Sequence, residues 1–435
     1  MAQAATLPLN NRSSYVLPMI FIGSLFFIFG FITWANSQLI PYLKIACELS
    51  PSESLLVATA FFAAYFFMAL PASAILRHTG YKRGISLGLG IMAIGALLFI
   101  PAANARSYPL FLMGLFIIGT GLALLQTASN PYVAVLGPHE SAAQRIAIMG
   151  ICNKIAGILA VYVLGAIALK DADAFTSSLQ TMDAAQRAVA LDGLASRVVT
   201  PYLIIAAALG AMAILFLFLS LPEIREEDAA EDSALSRSRT SVLQFPHLLL
   251  GAGAIFFYVG AEVISYDTFA GFGQQLGFPL DDPQGPWYRS AKNFASFTGY
   301  ALLAGYLVGI AAVPRLIKQE KALVISCVLS IILVVIACNT SGWIAVGSFA
   351  FLGFSNAMMW PAIFPMALKD LGRFTKVGAA ILIMMIVGGA VLPPLYGKLL
   401  EGLGDAQRAY YLLIPCYLYI LYFAVAGHKA GRQAS

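Results

Sequence analysis

Between Glu223 and Arg239 the chain reads E-I-R-E-E-D-A-A-E-D-S-A-L-S-R-S-R, acidic first and then rich in serine and arginine. To either side of this segment lie six long apolar stretches, each close to the length that crosses a bilayer. Before it they run Tyr15 to Leu43, Glu53 to Leu76, Gly84 to Ala102, Tyr108 to Leu136, Ala142 to Leu169 and Val199 to Leu221. After it they run Leu248 to Gly273, Ala291 to Leu316, Ala322 to Ala337, Trp343 to Leu368, Val377 to Leu399 and Ala409 to Gly427. In lipid an unpaired backbone amide or carbonyl costs several kcal/mol, so spans of this length must be helices that satisfy their own backbone. The expected fold is an all-α polytopic membrane protein with twelve transmembrane helices in two six-helix bundles. Its parts are a cytoplasmic tail at 1–14, bundles at 15–221 and 248–427, a solvated linker at 222–247 and a tail at 428–435.

Composition agrees: 60% of the 435 residues are hydrophobic and 11% charged, with a mean hydropathy of +0.82. The run from Tyr15 is too long for the apolar region of a cleaved signal and is expected to stay as the first helix. The net charge of +5 is spread over short loops, which reads as topology rather than a nucleic-acid face. With the N-terminus inside, sixteen of the 26 basic residues fall on the inner side and nine on the outer. Five of those nine sit in two long outer loops, which weigh little in the positive-inside rule, so both termini are expected in the cytoplasm. The remaining basic residue is Lys154, in the middle of the fifth stretch. The outer loop from Lys170 to Arg197 is expected to carry a short amphipathic helix on the membrane surface. The five cysteines show neither a disulfide framework nor metal spacing.

The two halves also show internal repetition. Gln126 precedes Pro131 by the same interval as Asn356 precedes Pro361, and the second and eighth stretches each end in a basic loop, Arg77 to Arg83 and Arg315 to Lys321. Proline inside a helix frees a carbonyl and bends the chain, so both sites are expected to combine a bend with polar surface.

The run Gln126 to Val133, Q-T-A-S-N-P-Y-V, followed by Leu136, Gly137 and Pro138, resembles the fourth-helix signature of the fucose/glucose-galactose:cation symporter family of the major facilitator superfamily. Further matches are Gly80 to Gly84 after helix two, Tyr258 to Glu262 in helix seven, and Val387 to Ala390 in helix eleven. The resemblance implies monosaccharide uptake driven by a cation gradient, with glucose or galactose as substrate, by alternating access about a central site. The fucose-transporting arm is expected to hold acidic residues in helices one and four. This chain has Trp34, Ala35, Asn36, Ser37 and Gln38 in the first and Gln126 in the fourth, none of which titrates in the physiological range.

The ionisable residues expected at membrane depth are therefore Lys154, Glu262 and, nearer the outer end of its helix, Asp267. Such residues face internal cavities, pair, and mark ion or substrate pathways, or else form a buried lock between the halves. Lys154 and Glu262 are expected to form a conformation-dependent pair linked to coupling. Asp267 is read either as part of that pathway or as hydrated near the outer surface. Neutral oxygens at helices one and four suit sodium, whereas a proton needs Glu262, and the balance leans to sodium.

A sugar site needs flat apolar surface and paired donors and acceptors, because a buried hydroxyl without a partner costs free energy. Asn36, Gln38, Gln126, Asn130, Asn153 and Asn356 are the expected hydrogen-bonding set, with Trp34 and Trp360 as platforms. Since helices one, four, seven and ten line the cavity in the superfamily, the resemblance points most of them inward. The alternatives are a carrier of an amino sugar or other small polar solute, and a sugar sensor that does not transport. An enzyme is not expected, because His78, His139, His247 and His428 all lie at inner ends or loops. The expected partners are a monosaccharide, a coupling cation (Na+ or H+) and the bilayer of the cell inner membrane; neither a cofactor nor a nucleic acid is expected, and the chain is read as a monomer.

Overall fold

The structure, a computed structural model, describes residues 16–135, 142–218, 239–282, 284–313 and 315–431. Twelve helices are long and apolar enough to cross a membrane, and no strand occurs among the described residues. They are α1 (Met19–Ala46), α2 (Pro51–Leu76), α3 (Lys82–Asn104), α4 (Tyr108–Ser129), α5 (Arg145–Leu179), α6 (Ala184–Phe218), α7 (Pro246–Asp267), α8 (Ala291–Ala312), α9 (Gln319–Asn339), α10 (Gly342–Leu368), α11 (Val377–Leu403) and α12 (Ala406–Val425). Helices α1–α6 and α7–α12 form the two six-helix bundles, which face each other through α2 against α11 and α5 against α8. The chain is a multi-pass membrane protein. The expected linker and both tails fall largely outside the described residues.

Local chemistry sets the ends. Ser50 and Glu53 cap α2 reciprocally, the Glu53 amide donating to Ser50 Oγ (3.3 Å) and the Ser50 amide to Glu53 Oε2 (2.8 Å). The reversal from α2 to α3 turns on Gly80, at φ +73°, a conformation that a side chain disfavours. A side chain at Gly84, two residues into α3, would collide with Leu76.

The bundles are tied by glycines at matched crossings. A Cβ at Gly30 of α1 would collide with the carbonyl of Asn153 on α5, and one at Gly388 of α11 with the carbonyl of Phe256 on α7. The same holds for Gly119 of α4 against Phe61 of α2 and Gly353 of α10 against Thr298 of α8. Without a hydrophobic force between helices in lipid, such close backbone approach is the main source of packing energy. The crossings α1/α5 and α7/α11, and α2/α4 and α8/α10, correspond under the duplication.

The proline expectation holds in one half. α10 breaks at Ala357–Met358, between the helical segments Gly342–Asn356 and Met359–Leu368, because Pro361 has no N–H for the carbonyl of Ala357. At the equivalent place the helix Tyr108–Val135 runs on through Pro131 without interruption. α1 tightens locally at Ala35, between the segments Val16–Trp34 and Asn36–Ala46, while its helical bonds Ala35 N to Phe31 O and Leu39 N to Ala35 O (both 3.1 Å) continue. There the Gln38 amide bonds to Ala35 O (3.0 Å) and the Ser37 hydroxyl donates to Trp34 O (2.7 Å).

The outer loop differs from expectation. It forms two helical segments, Ala172–Leu179 at the outer end of α5 and Ala184–Ser196 at the start of α6, and Tyr42 of α1 donates to Leu194 O (3.0 Å) and Ala195 O (2.9 Å). The second helix therefore docks on protein.

Candidate substrate cavity

Between the bundles lies a cavity with about 750 Å³ of empty space. Its wall takes Phe26, Phe29, Thr33 and Trp34 from α1, Phe62 and Tyr65 from α2, Gln126 from α4, and Ile146, Gly150, Asn153 and Lys154 from α5. The other half supplies Tyr258, Val259 and Glu262 from α7, Tyr306 from α8, Trp360 from α10 and Ile386 from α11.

Lys154 Nζ donates to Glu262 Oε1 at 3.0 Å, joining α5 of one bundle to α7 of the other. Lys154 is 5% exposed and Glu262 8%. The ammonium also stands 3.8 Å above the Trp34 ring, where the negative face of the indole attracts it. Trp34 is held in turn by donation of Nε1–H to Asn153 Oδ1 (3.0 Å) and by the Tyr266 ring, 4.0 Å between centroids. Lys154 thus has a carboxylate and an aromatic face as partners. On the α2–α4 side, Gln126 Nε2 donates to the Tyr65 hydroxyl (3.0 Å), and Phe62 stacks with Tyr65 at 26°. Tyr258 and Trp360 face each other across α7 and α10, with centroids 6.4 Å apart.

Of the residues expected from sequence, Trp34, Gln126, Asn153, Trp360, Lys154 and Glu262 line this cavity. Asn36, Gln38 and Asn356 do not: each is 1% exposed, Gln38 Nε2 donates to Lys292 O (3.0 Å), and Asn356 Oδ1 accepts from Tyr417 (3.1 Å). Their carboxamides serve helix–helix contacts or sit buried. The Asn130 side chain lies outside the described residues. Trp34 is not an open platform, since Lys154 and Tyr266 occupy its ring. Asp267 is 3% exposed and therefore not hydrated at the outer surface, and it is near enough to interact electrostatically with Lys154 and Glu262. Sequence reasoning missed Tyr65 and Tyr306, because a tyrosine in an apolar helix carries no sign of which way it points.

Besides Lys154–Glu262 in the cavity wall, further hydrogen bonds among the described residues join the two bundles to one side of the cavity. Ser52 N donates to Glu401 Oε1 (2.8 Å), Thr59 to Ala390 O (2.9 Å) and Asp171 N to Asp281 Oδ2 (3.0 Å). The Asp281 amide in turn donates to Asp173 Oδ2 (2.5 Å), while the Asp281 carboxylate holds Lys292 at 2.7 Å. This is the outer end in the orientation that the basic residues predict.

A cavity walled by both bundles of a twelve-helix membrane protein, mostly aromatic and aliphatic but holding carboxamides and a buried ion pair, defines a membrane carrier. The chain belongs to the Major Facilitator Superfamily, whose family model matches residues 22–393. It is 37% identical over 438 residues to a glucose/galactose transporter of Brucella abortus biovar 1 (strain 9-941), covering 98% of this chain and 100% of that one. It is 29% identical to the L-fucose-proton symporter of Escherichia coli (strain K12), over 95% of this chain and 94% of that one. The crystal structure of a major facilitator transporter, FucP, in the outward conformation superposes with a TM-score of 0.73 at 29% identity, covering 94% of this chain and 98% of that one.

Proposed function

We propose that this chain is a symporter that takes up a monosaccharide, glucose or galactose, with a cation across the cell inner membrane, its termini in the cytoplasm. The bundles would give alternating access to the cavity. The observation that carries this reading is a wall combining carboxamides (Gln126, Asn153) and aromatic surface (Phe62, Tyr65, Tyr258, Trp360) with one buried ion pair. Carboxamides donate and accept, as sugar hydroxyls require, and rings pack against the C–H face. The names of the relatives, glucose/galactose transporter and L-fucose-proton symporter, support the same substrate class.

The Lys154–Glu262 pair is the proposed coupling element. It bridges the bundles, so any rocking of one against the other strains it, and a cation arriving at Glu262 competes with the ammonium. Sodium or a proton can do this. Asn36 and Gln38 of α1 lie off the cavity, whereas Glu262 lines it together with the neutral Thr33 of α1 and Gln126 of α4, so a cation at Glu262 has neutral oxygens in the same wall. A second reading is favoured by the same carboxylate: an amino sugar could present its ammonium to Glu262 in place of Lys154.

The test is uptake of labelled glucose and galactose into proteoliposomes under an imposed sodium gradient or, separately, a pH gradient. Accumulation under one gradient alone names the ion. No accumulation of either sugar under any gradient sinks the monosaccharide reading and turns to amino sugars; binding without accumulation would favour a sensor. Trp360→Ala is expected to weaken sugar binding about tenfold, the scale of one lost aromatic stacking contact. Titration calorimetry on the purified protein measures it, and unchanged affinity removes Trp360 as a platform.

A further inference from the structure

A second cavity, with about 460 Å³ of empty space, is cut between α8, α9 and α10 and shares no residue with the first. Gly305, Gly309 and Ala312 of α8 form its floor, and Leu329 of α9 and Met358 of α10 its flanks. Val308 and Ile325, both more than half exposed, stand at its mouth. In a bilayer that mouth opens on hydrocarbon, so the occupant must be apolar along this length. The turn from α8 to α9 closes one end: Val313, Ile317 and Ala322 line the groove. Between them Arg315, Lys318 and Lys321 are exposed, and none of the three forms a hydrogen bond or ion pair among the described residues. Lys318 is the N-cap of the long helix Gln319–Asn339, whose first turn carries Glu320, so an anion here would be held by the three cations rather than by the helix end.

We propose that this groove seats an anionic phospholipid, one acyl chain lying along Gly305, Gly309 and Ala312 and the phosphate on Arg315, Lys318 and Lys321. A hydrocarbon slot ending at clustered cations fits a charged lipid better than a zwitterionic one. The place has consequences for the carrier. Met358 is the break point of α10 and lies directly against Gly309, while Tyr306, beside Gly305, lines the substrate cavity. The acyl chain therefore braces the backs of two helices whose fronts form the substrate wall. The proposal does not depend on which solute is carried.

Native mass spectrometry of the purified full chain, titrated in parallel with phosphatidylglycerol and phosphatidylcholine of identical acyl chains, tests it. Wild type is expected to retain phosphatidylglycerol in preference, on the order of tenfold from three nearby cations. The triple variant Arg315→Gln, Lys318→Gln, Lys321→Gln, all on exposed positions, is expected to level the two lipids. Ala312→Phe, which fills the slot, is expected to lower retention of both. Equal retention by wild type, or a preference that survives the triple variant, overturns the proposal. Loss of preference in the triple variant with no effect of Ala312→Phe also overturns it, because the cations would then act as a diffuse surface attraction without a seat.

Discussion

A lysine placed in the middle of a membrane helix must find an acceptor inside the protein, and Lys154 finds Glu262 across the bundle interface. Removing one member leaves the other charge buried and alone, a loss of about 3–5 kcal/mol, whereas neutralising both relieves it. Lys154→Ala and Glu262→Gln are each expected to lower the melting temperature in detergent, and the double variant to recover most of the loss. All three are expected to lose gradient-driven uptake. Unchanged uptake in both single variants would remove the pair from coupling, even if stability fell. The pair was legible in the sequence because a charge in an apolar run is conspicuous. The carboxamides were not sortable: Gln126 and Asn153 reach the cavity, while Asn356 serves Tyr417 and Gln38 serves a carbonyl of Lys292, and the residue type is the same in either role.

Among elements, the decisive contacts are backbone against backbone. Gly30 and Gly388 occupy corresponding crossings, and any side chain there meets a carbonyl rather than a movable neighbour. Gly30→Val and Gly388→Val are therefore expected to separate α1 from α5 and α7 from α11, costing at least the ~1–3 kcal/mol of ordinary overpacking. Gly347 of α10 has open space where a Cβ would go, so Gly347→Ala is expected to be neutral or to stabilise by up to about 1 kcal/mol. Thermal unfolding in detergent separates the two classes, and equal behaviour would show that the crossings are not close-packed in the bilayer. The twelve spans could be read from hydropathy because each must cover the same thickness of lipid. The helix breaks could not, since Pro361 interrupts α10 while Pro131 leaves its helix unbroken. What decides between them is packing around the freed carbonyl, which one sequence does not display.

At the scale of the molecule, two backbone amides of one bundle are held by carboxylates of the other at the same end of the cavity. Asp281 and Glu401 supply these carboxylates. Asp281→Ala, which also loses the ion pair to Lys292, and Glu401→Ala are expected to lengthen the distance between spin labels at exposed Ala184 and Gly402. Identical distance distributions in wild type and both variants would show that these bonds do not hold the end shut. Sequence was silent on this closure because amides and carbonyls form half of every such bond. The arrangement around Trp34 has an optical consequence as well. Of the four tryptophans, Trp34 alone among the described residues lies under an ammonium, so its emission depends on whether Lys154 is in place. With Trp287, Trp343 and Trp360 replaced by phenylalanine, the indole becomes a label-free optical gauge of whether the ammonium lies over it, and Lys154→Ala is expected to change its emission.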